Sequence, residues 1–159
     1  MKDCIIKQLI DPAEKKKISR EILEALPDWF GVEESREEYI RNSAGQPFFA
    51  AYADGQAVGF LCLKETGKAT VELAVMGVKQ EHHRLGVGRT LFSAAKQYAV
   101  QAGYTFMQVK TVKMGPYEDY DRTNLFYQSL GFQEFEVFPT LWDENNPCQI
   151  YVMYLEKDS

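Results

Sequence analysis

Cysteine is scarce in this chain. Three residues, Cys4, Cys62 and Cys148, are scattered over 159 positions. Their odd number and wide spacing suggest neither a disulfide framework nor a paired-cysteine metal site. No apolar run approaches the roughly 20 residues that cross a bilayer, and the first residues lack the basic-then-apolar pattern of a secretory leader. A cytoplasmic protein with no membrane partner is therefore expected. Basic charge is also short: 18 lysines and arginines against 23 acids leave a net charge of -5. That balance argues against nucleic acid as a partner. Repeats, low-complexity tracts and linkers are missing too. What is present is 45% hydrophobic and 13% aromatic, enough to exclude disorder, in a length that fits one domain over residues 1–159.

The chain opens on an apolar stretch, Cys4 to Ile10, that suits a strand. Asp11-Pro12-Ala13-Glu14 reads as a helix start, with Asp11 as cap, Pro12 at the first turn and Glu14 completing a capping box. Ile18, Ile22 and Leu26 recur every four residues and give that helix an apolar stripe, which Pro27 ends. A second helix is predicted within Glu33 to Asn42, with Tyr39 and Ile40 inward. The period then shortens to two. Pro47 to Ala53, Ala57 to Glu65 and Thr70 to Val78 read as strands, separated by the turn pairs Asp54-Gly55 and Thr66-Gly67. Gly86 to Gly103 reads as a helix with Leu91, Ala95, Tyr98 and Ala102 on its buried face and Gly103 as its left-handed stop. A strand over Thr105 to Val112, a helix over Asp121 to Leu130 halted by Gly131, and strands over Phe132 to Phe138 and Gln149 to Leu155 complete the order. The expected fold class is α/β: a mixed central sheet, an antiparallel meander plus one parallel strand pair joined by a right-handed crossover, flanked by about four helices.

The stretch Val78-Lys79-Gln80-Glu81-His82-His83-Arg84-Leu85-Gly86-Val87-Gly88-Arg89-Thr90 follows a strand and opens a helix. Glycines there let backbone approach a ligand, and the first helical amides face it with the positive end of the dipole. Arg84 and Arg89 add local positive charge, so a pyrophosphate suits the site. Equally, Gly86 and Gly88 suit a tight strand-to-helix turn. No GK[ST] follows, which excludes the Walker loop, and Leu91 fills the third glycine position of the dinucleotide fingerprint. His82 and His83 do not form a metal pair, since adjacent residues do not suit one ion and no further ligands lie at the right spacing.

His83 to Gly88 resembles the [Q/R]-x-x-G-x-[G/A] signature of the GNAT superfamily of N-acetyltransferases, with histidine at its first position. Asn124-Leu125-Phe126-Tyr127-Gln128-Ser129-Leu130-Gly131-Phe132 is similar to a second segment of that family, and the strands before and after the glycine-led helix fall where the family has them. The resemblance implies the GNAT fold and acetyl-CoA as co-substrate. It implies that backbone at Met76 and Val78, the loop His83, Arg84, Leu85, Gly86, Val87, Gly88 and Arg89, and Asn124 hold that co-substrate. It implies Tyr127 as the acid that protonates the departing thiolate and Glu72 as the base. A free amine with a pKa near 10 must shed a proton before it attacks a thioester. Two readings of Glu72 stand at this point, a base or the solvent side of an alternating strand.

No cysteine occupies a motif position, so direct transfer in a ternary complex is expected rather than an acyl-enzyme. The acceptor is expected to be a small-molecule amine, with a protein acceptor as the other option and a homodimer as the assembly the family often forms. Trp29 and Phe30, between the first two helices, Trp142, between the last two strands, and Tyr117, in an acidic aromatic loop, are the candidate acceptor contacts through charge and cation–π attraction. A solvated acidic surface with a few anchoring aromatics reads equally well there. The competing function is a GNAT-fold module that binds acyl-CoA without catalysis.

Overall fold

Apolar periodicity changes from four to two near Pro47, and the backbone changes with it. The computed structural model describes residues 4–156. The chain runs β1 (Ile5–Leu9), α1 (Pro12–Glu24), α2 (Glu33–Ser43), β2 (Phe48–Ala53), β3 (Gln56–Gly67), β4 (Thr70–Val78), a 3-10 turn (Gln80–His82), α3 (Val87–Gln101), β5 (Phe106–Val112), α4 (Glu118–Ser129), β6 (Gln133–Asp143) and β7 (Asn146–Tyr154). The strands form one mixed seven-stranded sheet in the order β1-β2-β3-β4-β5-β7-β6. β4 and β5 are its parallel pair, setting Thr70 against Phe106 and Glu72 against Gln108. This is the sheet that the sequence predicts, with four helices around it.

By its internal contacts the chain forms two compact units. One runs up to Lys64 and resumes over Ala74–Tyr98; the other takes Glu65–Leu73 and the chain from Ala99. In the first, the α1 stripe does what its spacing requires. Ile18, Ile22 and Leu26 are buried with Ile40, Phe48, Phe60 and Val75, and Phe48 stacks on Phe60 at 5.2 Å. Each fully buried side chain of this size contributes about 1.5–3 kcal/mol. Gly77 makes room for α1: a Cβ there would lie 3.0 Å from Ile22 Cγ2 and 3.1 Å from Leu26 Cδ1. Lys15 is buried as well, and its Nζ donates to the carbonyls of Gln46 (2.8 Å) and Ala44 (3.4 Å), which follow α2. A cation there faces the negative end of the α2 dipole.

In the second unit β5, β7 and β6 are antiparallel neighbours, with Lys110 opposite Ile150 and Val112 opposite Cys148. α4 lies against Tyr151 of β7 through the side chains of Asn124 and Gln128. Gly131, at φ 106°, ends the helix as expected.

Local details depart from the sequence reading in instructive ways. Asp11 occupies the cap position of α1, but its side chain makes no capping hydrogen bond, and Glu14 reaches the hydroxyl of Tyr52 instead. Burial and that neighbouring carboxylate push the Tyr52 phenol upward. Asp54-Gly55 turns with both residues at positive φ, the geometry of the tight hairpin. Thr66-Gly67, by contrast, lies within β3, and the turn falls on Lys68-Ala69. Ala102 lies beyond the end of α3 and is exposed; Ala99 takes the buried place instead. α4 begins at Glu118, so most of the predicted acidic loop is helix, and β6 extends to Asp143, so Trp142 stands on a strand.

Candidate active site

The glycine-rich segment is built from the end of β4. Lys79 donates its amide to Val58 at 2.9 Å, which holds the strand end in the sheet. The 3-10 turn follows, with His82 N–H on the Lys79 carbonyl and His83 N–H on that of Gln80. Arg84 and Gly86 then take φ of 67° and 83°. Glycine accepts that region freely, whereas a residue with a Cβ incurs strain of about 1–2 kcal/mol. Gly86 is required for conformation and not for space, because a Cβ there would meet nothing within 4 Å. Its carbonyl accepts both the Thr90 amide (3.0 Å) and the Thr90 hydroxyl (2.8 Å), which starts α3. The amides of Gly86, Val87 and Gly88 therefore lie in the turn where a helix supplies no internal partner. Leu85, Arg84 and Arg89 are exposed around it.

The His83 side chain turns back on the strand before it. Its Nε2 lies 2.6 Å from the Val78 carbonyl, so the ring clasps the loop back onto the end of β4. Trp29 meets the same ring edge-on at 5.6 Å. Met76 and Val78 are half-buried on the alternating strand. Trp29 and Phe30 are half-buried too, packed against the α1 core, with Phe30 edge-on to Tyr39 at 5.9 Å.

In the second unit Glu72 is not on a solvent face. Its side chain is 13% exposed and its Oε1 lies 3.0 Å from Lys110 Nζ. Sequence reading missed Lys110. The signal was there: once β4 and β5 are taken as parallel, Lys110 lies one step beyond the Glu72–Gln108 pair on the same strand face. Cys148 is buried beside this pair. Burial pushes its thiol up, Lys110 opposes that and Glu72 adds to it. Burial likewise raises the thiol of Cys62.

Tyr127 is buried among aromatic rings, 5.9 Å from Phe132 and 6.2 Å from Tyr151. Asn124 is buried and fully engaged. Its Nδ2 donates to the carbonyls of Val112 (2.8 Å) and Tyr120 (2.6 Å), and its Oδ1 accepts from the Tyr151 hydroxyl (2.7 Å). That hydroxyl in turn accepts from Gln128 (3.0 Å). Asn124 thus ties α4 to the end of β5. Tyr117 is exposed at the start of α4, edge-on to Tyr120. Trp142 is exposed beside a hairpin turn in which Asp143 accepts from the Asn145 amide and the Asn146 side chain, and those bonds hold the Asp143 carboxyl below its usual range. Among the described residues no group of three or more His, Cys, Asp or Glu is placed to hold a metal ion, and no helix is long and apolar enough to cross a membrane.

Residues 14–132 match the acetyltransferase (GNAT) family. None of the curated proteins is similar enough in sequence to match. Among solved structures, a GNAT-family protein from Desulfovibrio desulfuricans superposes with a TM-score of 0.81 at 17% identity, over 97% of this chain and 100% of its own. The ribosomal-protein-S18-alanine N-acetyltransferase from Escherichia coli gives 0.73 at 17% identity, over 99% and 97%. An aminoglycoside 6'-N-acetyltransferase complexed with coenzyme A gives 0.74 at 14% identity, over 98% and 99%.

Proposed function

Because the chain belongs to the acetyltransferase (GNAT) family, we propose that it is an acetyl-CoA-dependent N-acetyltransferase that passes the acetyl group directly to a primary amine in a ternary complex. The observation that carries this reading is the loop from Val78 to Thr90. Two residues at positive φ turn the chain from β4 into the amide end of a 15-residue helix, with Arg84 and Arg89 beside it. Open backbone, helix amides and arginine charge fit an anionic co-substrate with a pyrophosphate. One structurally similar acetyltransferase carries coenzyme A.

In this reading Met76 and Val78 present strand backbone to the co-substrate, and a backbone amide facing the thioester carbonyl steadies the charge that develops there. Glu72 takes the proton that the acceptor ammonium must lose. The nitrogen lone pair attacks the thioester carbon, the C–N bond forms and the C–S bond breaks; the departing thiolate takes the Tyr127 hydroxyl proton, and the second proton that the nitrogen sheds on becoming an amide passes through solvent to restore that hydroxyl. Asn124 acts by holding α4, and with it Tyr127, to β5. Cys62 and Cys148 are buried thiols raised by burial, poor nucleophiles, which favours direct transfer. A small-molecule amine is the favoured acceptor.

The test pairs calorimetric titration of acetyl-CoA with a CoA-release assay over amines of several classes. Saturable binding together with amine-dependent CoA release is expected. Failure to bind acetyl-CoA refutes the reading. Tight binding with no release for any amine class assigns the chain instead to non-catalytic acyl-CoA binding.

A further inference from the structure

One strand face of the second unit carries an anion and a cation side by side. Glu72 and Lys110 pair at 3.0 Å with side chains 13% and 33% exposed. The registers set Ile150 opposite Lys110, and Cys148 two residues along on the same face; both are buried. The pair thus lies on an apolar floor. Gln108, the direct neighbour of Glu72 across the parallel pair, turns its amide to the Thr66 hydroxyl at 2.9 Å.

An ion pair on such a floor is poor glue. Desolvating both charges offsets most of their attraction, and apolar replacements of similar volume are often no less stable. What the pair offers a ligand is two opposite charges at a fixed spacing. Resting on the acetyltransferase reading, in which Glu72 meets the acceptor amine, the geometry points to a zwitterionic acceptor: an amine with a carboxylate on the adjacent carbon, as in a free α-amino acid. In such a molecule the nitrogen and the nearer carboxylate oxygen are roughly 3 Å apart by standard bond lengths. Its ammonium lies on Glu72 and its carboxylate on Lys110, so that four charges alternate and each has two opposite neighbours. Lys110 also selects against polyamines, because it repels a second ammonium brought beside the first. In the reaction the acceptor ammonium gives one proton to Glu72, its nitrogen forms the amide bond as the C–S bond breaks, the second nitrogen proton is released and replaces the one that the thiolate takes from Tyr127, and the acceptor carboxylate stays on Lys110 unchanged.

The experiment measures CoA release by the full chain with acetyl-CoA and matched acceptors: free α-amino acids, their carboxamides, and spermidine. The free acids are expected to exceed their carboxamides in kcat/KM by about tenfold or more. Lys110→Met is expected to bring that ratio to about one, and Lys110→Arg to retain it. Equal use of acid and carboxamide, a ratio indifferent to Lys110→Met, or a preference for spermidine overturns the inference. Should no amine release CoA, the enzyme reading itself fails, and calorimetric titration of the same acceptors then decides the site. Binding of the acid that is lost in its carboxamide and in Lys110→Met sustains it. Equal binding of acid and carboxamide, or none, refutes it.

Discussion

Tyr127 is buried with its ring among other aromatics. Its ring meets Phe126, Phe132 and Tyr151, contacts that need no hydroxyl. Tyr127→Phe is therefore expected to fold normally and to bind acetyl-CoA with nearly unchanged affinity, while kcat falls by about 10²–10⁴, the span of a lost general acid. Steady-state kinetics beside calorimetry checks this, and an unchanged kcat removes the hydroxyl from the reaction. Glu72→Gln is expected to lower the rate near neutral pH by a comparable factor. The deficit should shrink as pH rises toward the acceptor amine pKa near 10, because solvent then removes the proton that Glu72 would take. A pH profile parallel to wild type assigns the proton to another group. At this scale the sequence singled out residues and not their partners. Glu72 was visible as a charge in an apolar strand, but its ion pair depends on a register between two strands joined through a whole helix. Asn124 was visible in a motif, yet its partners Val112 and Tyr151 lie 12 and 27 residues away, beyond any local pattern.

Periodicity sufficed for whole elements. Strand alternation over Thr70–Val78 gave β4 to the residue, and glycines placed the ends of α3 and α4. Boundaries failed where a local signal lost to pairing. Thr66-Gly67 has turn chemistry, but ladder bonds to the neighbouring strand outweigh it. The β6–β7 hairpin is longer than the sequence reading: Pro139 is tolerated because β6 is an edge strand, and Pro147 falls at the very start of β7, both places where a strand accepts proline. Gly77 holds a meaning the sequence did not disclose. Gly77→Ala is expected to lower the midpoint of denaturant unfolding by a change of about 1–3 kcal/mol, since Ile22 and Leu26, at 3.0 and 3.1 Å, are themselves buried and cannot yield freely. A variant as stable as wild type shows that α1 shifts to admit the methyl.

For the molecule as a whole, a co-substrate that binds only the folded chain must raise its stability by mass action. At 100 times its dissociation constant acetyl-CoA is expected to add about 2.7 kcal/mol, a rise in Tm of about 5–10 °C for a chain of this size. Calorimetric scans at graded concentrations check this, and a Tm independent of acetyl-CoA contradicts the proposed function. Lys15 supplies a measure of the same folding from inside. Its amine is enclosed by the carbonyls after α2, while Lys16 and Lys17 beside it are exposed. An amine-reactive reagent should therefore label these two neighbours at once and Lys15 only when α1 lifts away. Peptide-resolved labelling would turn one lysine into a clock for the opening of its unit, read against internal standards one and two residues along the chain.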